Sequence, residues 1–160
     1  MSSKLIGADD AGGSNSAADY FRLSRFQAAN SGNMTEFRVK AGANGNIKCA
    51  LYSDSSGQVG TLITAMNTGQ AVVSGWNTLT FTLTPIIKDT WYWLGMNSDV
   101  SGACLYVPVA ASYRYKVEAY AGFTFPTTPS GLTTDNNYYD LSAGWGDIAV
   151  GIRSFGLIIG

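Results

Sequence analysis

Apolar and polar residues alternate with period two along much of this chain, and nowhere do apolar residues recur at helical spacing over three turns. Successive side chains on a strand point to opposite faces, so such a run describes a strand with one wet and one dry side. Residues 35–41, TEFRVKA, are the clearest case: Phe37, Val39 and Ala41 share one face, and Glu36, Arg38 and Lys40 the other. Residues 46–54, NIKCALYSD, place Ile47, Cys49 and Leu51 on one face and Lys48, Ala50 and Tyr52 opposite. The GANG between them ends in Asn44-Gly45, a pair suited to the positive φ of a tight turn, so the two runs are expected to form a hairpin.

The pattern continues in residues 75–85, GWNTLTFTLTP, where Leu79, Phe81 and Leu83 oppose Thr78, Thr80 and Thr82. Pro85 cannot donate to a ladder and is expected to end that strand. DYFRLSRFQA sets Phe21 and Leu23 against Arg22 and Ser24, and SDSSGQVG is a turn by composition. TLITAMN, TWYWLGMN, ACLYVPVA and YRYKVEAYA read as further strands, and DIAVGIRSFGLIIG as one long strand or two short ones. With 19 Gly spread through the chain and turn signals between the short runs, the expected fold is all-β. At 160 residues the size matches one domain, an antiparallel two-sheet β-sandwich of jelly-roll type.

Charge narrows the function classes. The 10 Lys plus Arg balance 11 Asp plus Glu, so the basic excess of a nucleic-acid binder is missing. No run approaches the ~18 apolar residues of a membrane span. The opening MSSKLIGADD does not read as a signal peptide, which suggests either a mature fragment or a protein released without secretion, as a virus component is at lysis. Virion surface or extracellular space is the expected setting. Cys49 and Cys104 each sit in apolar strand-like runs and are either a disulfide or two buried thiols.

The absence of His removes the usual serine, cysteine and metal chemistries. Glycoside hydrolysis needs two carboxylates flanking one bond, yet the two Glu residues, Glu36 and Glu118, stand at alternating polar positions beside basic neighbours. They read as strand-face ion pairs, and an enzyme is not expected. Asp9 and Asp10 in GADDAGG, with the oxygens of YSDSSG and TTDNN, are candidate calcium ligands. The alternative is ordinary Asx-turn chemistry. No other cofactor is indicated.

The aromatics offer more. In TWYWLGMN, Tyr92, Leu94 and Met96 make a core face, which leaves Trp91 and Trp93 on the other side. If that face is open, the indoles can stack on a sugar ring while Arg114, Lys116 or Glu118 bonds its hydroxyls. If a loop or another subunit covers it, the same pair is packing. The run TTDNNYYDLSAGWGD mixes Tyr138, Tyr139 and Trp145 with Asn, Asp, Ser and Gly, a blend suited either to recognition or to capping the sandwich. Trp76, after Gly75, reads as structural.

Four phrases, LSRFQAANSGNMTEFRVKA, IKCALYSDSSGQVGTLITAMNT, VSGWNTLTFTL and DTWYWLGMNSD, follow one another over residues 20–107. In this order the chain resembles a recurring type of small jelly-roll module. Such modules occur on bacterial and archaeal surface proteins, beside carbohydrate-active domains, and as stand-alone phage proteins. The resemblance implies a non-catalytic binding or surface role and transfers no ligand set. Two functions are therefore expected: a virion-associated structural protein (decoration, fibre-head or capsid-associated) that assembles with itself or with other surface proteins, or a carbohydrate-binding module. Apolar outer faces, including the terminal SFGLIIG, favour homo-oligomers in the first case.

Overall fold

The computed structural model describes residues 1–149. Every strand-to-strand ladder in it is antiparallel. The strands are β1 (Ser2–Gly7), β2 (Ser14–Asn15), β3 (Tyr20–Gln27), β4 (Gly32–Ala41), β5 (Gly45–Ser55), β6 (Gln58–Val72) and β7 (Gly75–Ile86). They continue as β8 (Trp91–Ser98), β9 (Leu105–Val107), β10 (Tyr113–Val117), β11 (Thr133–Asp135), β12 (Tyr139–Asp140) and β13 (Ser142–Ile148). One layer has the order β1-β13-β4-β7 and the other β11-β10-β3-β8-β5-β6; a small third sheet runs β12-β9-β2. Among the described residues no helix is long and apolar enough to cross a membrane.

The two large layers close on one core. Leu5, Ile6, Met34, Phe37, Val39, Leu79, Phe81 and Ile86 enter from the four-stranded sheet, and Ile47, Cys49, Leu51, Tyr92, Leu94 and Met96 from the six-stranded one. These are the inward sets that the alternation of β4, β5 and β8 implies. Burial of such side chains, each worth roughly 1.5–3 kcal/mol, is what holds the layers together. Cys49 and Cys104 are both buried free thiols, and burial pushes each well above its ordinary pKa, so neither is a ready thiolate.

The expected hairpin at residues 42–45 is corrected. β4 pairs with β13 and β7, whereas β5 pairs with β6 and β8, so this link crosses from one layer to the other. Neither Asn44 nor Gly45 takes a positive φ. Gly42 and Ala43 instead donate their amides to the Gly102 carbonyl. The tight hairpin lies one strand later, where Ser56 (φ 52°) and Gly57 (φ 85°) turn β5 into β6, the conformation of a two-residue primed turn.

β7 also departs from its expected pattern. Met34 faces Thr84 while Glu36 faces Thr80, so extra residues bulge on β7. The buried set switches from Leu79 and Phe81 to Thr84 and Ile86, leaving Leu83 60% exposed. Pro85 does not end the strand: β7 is an edge, and its outer side tolerates a residue without an amide hydrogen. Of the closing run, β13 forms up to Ile148, and residues 150–160, with SFGLIIG, lie outside the described residues.

A second core covers the outer face of the six-stranded sheet. Phe21, Leu23, Ala50, Tyr52 and Trp93 meet Phe123 and Phe125 from the long connection between β10 and β11. That connection is pinned at several points. Lys48 Nζ donates to the carbonyls of Tyr120 (2.9 Å) and Phe123 (2.8 Å), and Tyr52 Oη to that of Pro126 (2.8 Å). The Phe125 amide donates to Asn67 Oδ1 at 2.9 Å, and the Leu62 amide to the Thr127 carbonyl at 2.8 Å. The polar face of β5 in the sequence is thus dry.

Candidate functional site

The six-stranded sheet has two strands more than its partner, and β10 and β3 lie toward one of its edges. Their inward side chains are covered only partly, by the small β12-β9-β2 sheet, and a cleft of about 410 Å³ is left between. That is within the range of small-ligand sites. Alternation on β10 sends Tyr113 and Tyr115 inward, opposite Ser24 and Arg22 of β3. Tyr20, two residues before Arg22, shares its face. Tyr106 comes from β9, and Tyr138 from the residue just before β12.

The five tyrosines form a continuous chain of rings around the cleft. Tyr20 and Tyr115 have centroids 5.9 Å apart, Tyr115 and Tyr113 6.1 Å, Tyr113 and Tyr138 6.1 Å, and Tyr138 and Tyr106 5.1 Å. The last two pairs are edge-on, the arrangement that the ring quadrupoles favour. Tyr52 and Tyr139 donate their hydroxyls to protein groups, and the Tyr92 hydroxyl accepts from the Ile87 amide. Among the described residues, the five cleft hydroxyls make no such bond. Those of Tyr20, Tyr106, Tyr115 and Tyr138, which are half-buried, remain available to something outside the chain, whereas Tyr113 is buried.

Arg22 lies behind this wall, paired with Asp140 of β12 at 3.6 Å, and both side chains are almost fully buried. Its other nitrogens donate to the Ala17 carbonyl (2.6 Å) and Ser98 Oγ (3.4 Å). Burial pushes the Asp140 carboxyl up from its ordinary value, against the pull of Arg22. Tyr113 is also raised, by burial first and then by Asp140, so it stays protonated. Ser16, Ala17 and Asp135 complete the lining.

The other expected site residues fall elsewhere. Trp93 is fully buried in the second core, donating Nε1 to Asp54 Oδ1 (2.9 Å) and the Gln58 carbonyl (3.1 Å), so it presents no face to a ligand. The covering-loop alternative holds for it. Arg25 binds both oxygens of Asp54 (2.7 and 3.0 Å) and stacks 4.1 Å over the half-open Trp91 ring. Arg114 is buried, 5.2 Å over Trp93, rather than free for a sugar hydroxyl. Lys116 and Glu118 pair with each other at 2.6 Å, as Arg38 and Glu36 do at 2.8 Å.

The run from Tyr138 to Trp145 is split. Tyr138 joins the cleft, while Tyr139 packs edge-on against Phe26 and donates its hydroxyl to Asp10 at 2.5 Å. Burial and that bond push the Tyr139 hydroxyl up to about 12. Trp145 lies on β13, on the outer face of the four-stranded sheet, with Arg38 3.8 Å over its ring. Of the calcium candidates, Asp9 is bound to Lys4 and Asp10 to Tyr139, so the two carboxylates do not converge. Among the described residues no group of three or more Asp, Glu, Cys or His is placed to hold a metal.

Tyr20, Tyr106, Tyr113 and Tyr115 are the site residues that sequence reasoning missed. One signal was on view: six of the nine tyrosines fall between residues 106 and 139. Fold and site together define a two-layer antiparallel sandwich with an aromatic side cleft. No protein-family model matches the sequence, and no curated protein matches it either.

Proposed function

We propose that the protein is a non-catalytic surface module of jelly-roll type that holds a saccharide in its tyrosine cleft, on a virion or elsewhere outside the cell. The observation that carries this reading is the chain of five tyrosines with unengaged hydroxyls. Ring faces stack on the C–H faces of a sugar, and phenolic hydroxyls bond its oxygens, the two things a pyranose asks of a site. A single carboxylate, Asp135, lines the cleft among the described residues, one fewer than glycoside hydrolysis uses. The strand order supports the jelly-roll type. Among the strands of six residues or more, first pairs with last (β1 and β13), second with seventh (β3 and β8), third with sixth (β4 and β7) and fourth with fifth (β5 and β6).

The test is a glycan-array screen followed by titration of the hits against the parent and Tyr138→Ala. The reading expects affinity to fall about tenfold, the loss of one ring being worth roughly 1.4 kcal/mol. Hits that bind both forms equally would remove the cleft from consideration.

The assembly reading has its own support. Residues 55–87 contain no charged residue, and they form the two edge strands β6 and β7. Leu83, Ile87 and Ile63 are exposed along this edge, without the charges that usually guard one. Light scattering on the parent and on Leu83→Lys tests it: an oligomer that dissociates in the variant supports assembly through this edge, and a monomeric parent removes it.

A further inference from the structure

Resting on the saccharide reading, we propose that the cleft selects sugars carrying a free amino group, in the ammonium form, over neutral ones. Among the described residues, two charged side chains line the cleft, Arg22 and Asp135. Arg22 is not available to a ligand: its side chain is 3% exposed, ion-paired with Asp140, and bonded to Ala17 and Ser98. Its guanidinium is turned toward Asp140, 3.6 Å away, behind the ring wall. Asp135 is half-buried at the rim, where its Oδ1 accepts from the amide and side chain of Asn137 at 3.0 and 2.9 Å. Among the described residues, its Oδ2 accepts nothing.

The nearby cations face away. Strand alternation that turns Tyr113 and Tyr115 inward turns Arg114 and Lys116 to the opposite side of the sheet, where one lies over Trp93 and the other pairs with Glu118. Among the described residues, what the cleft then offers a ligand is one carboxylate and five tyrosine rings, whose faces are electron-rich. A carboxylate attracts a cation and repels an anion, and aromatic faces attract a cation as well. An acidic sugar would meet Asp135 without a free partner. A neutral sugar would use the hydroxyls and ring faces alone.

The probes are a glucosamine trimer and its fully N-acetylated counterpart, titrated by calorimetry at a pH where the amines are ionised. The expected result is that the free-amine trimer binds at least tenfold more tightly. The preference should shrink as salt rises and fall several-fold in Asp135→Asn, because both changes weaken one charge–charge contact. Equal or tighter binding of the acetylated trimer would overturn the amine preference while leaving the saccharide reading in place. If neither trimer binds, the amine preference falls, and a glycan array with no hits would bring down the saccharide reading as well. Circular dichroism of Asp135→Asn checks that the fold is kept, and the salt series on the parent tests the charge contact without any variant.

Discussion

The six-stranded sheet carries aromatic clusters on both sides, and they serve opposite ends. On its outer face Phe21, Tyr52 and Trp93 are sealed by Phe123 and Phe125, and the polar handles of Tyr52 and Trp93 are bonded within the protein. On its inner face, toward the β10 side, five tyrosines line a cleft, and among the described residues none of their hydroxyls is bonded within the protein. Aromatic density is the same signal in both places. What separates a core from a site is where the O–H and N–H groups go, because a buried polar atom needs an internal partner and an open one does not.

The largest effect expected from this contrast is on the sealed side. Trp93→Ala should cost about 3–5 kcal/mol of stability, since it opens a cavity and removes a donor from Asp54. Urea unfolding monitored by tyrosine fluorescence measures it. A loss below about 1 kcal/mol would mean that the second core is loose.

Asp54→Asn should come next, at about 1–3 kcal/mol near neutral pH, for the lost charge-assisted bonds from Arg25 and the weakened one from Trp93. The Arg25 bond first, with the Gly57 amide and Trp93 indole adding to it, holds the Asp54 carboxyl below its ordinary value despite partial burial. A depressed carboxyl stabilises the fold above its unfolded pKa, and that contribution is lost as pH falls through the lower folded value. The difference between parent and variant should therefore persist at neutral pH and close only below about pH 4. A pH series of unfolding midpoints that closes near neutrality would contradict the assigned network.

On the open side, Tyr106→Ala should change stability by less than about 1 kcal/mol, because its ring is only half-buried and, among the described residues, its hydroxyl has no internal bond. Saccharide affinity should fall about tenfold in the same variant. Stability and binding would then be separable by location, largest for one where smallest for the other. A Tyr106→Ala protein as unstable as Trp93→Ala would erase the distinction between the clusters.

How far the sequence carried the fold can be told from particular residues. Alternation in β4, β5 and β8 reported correctly which side chains point inward, because period two is a local property. It could not report partners. Ala41 and Ile47 both point into one core from opposite layers, and a three-residue link that crosses between layers looks the same in sequence as one that turns back. Leu83 was misplaced because a bulge changes the inward set without changing composition. Trp93 stayed ambiguous since its cover, Phe123 and Phe125, lies some 30 residues downstream in an irregular segment. The cleft was harder still. Tyr20 and Tyr115 meet only because β3 and β10 pair, and a chain of contacts across four separate segments has no local signature beyond the crowding of tyrosines after residue 105.

The most direct measurement is an NMR titration of the isotope-labelled protein with the saccharide that binds best. Each of the four Trp residues supplies an indole N–H reporter, and the tyrosine ring signals report on the cleft. The account predicts shifts at Tyr20, Tyr106, Tyr113, Tyr115 and Tyr138, while the Trp93 and Trp145 indoles stay where they are. Shifts at Trp145 and Trp76 with silent cleft tyrosines would place binding on the outer face of the four-stranded sheet and contradict it.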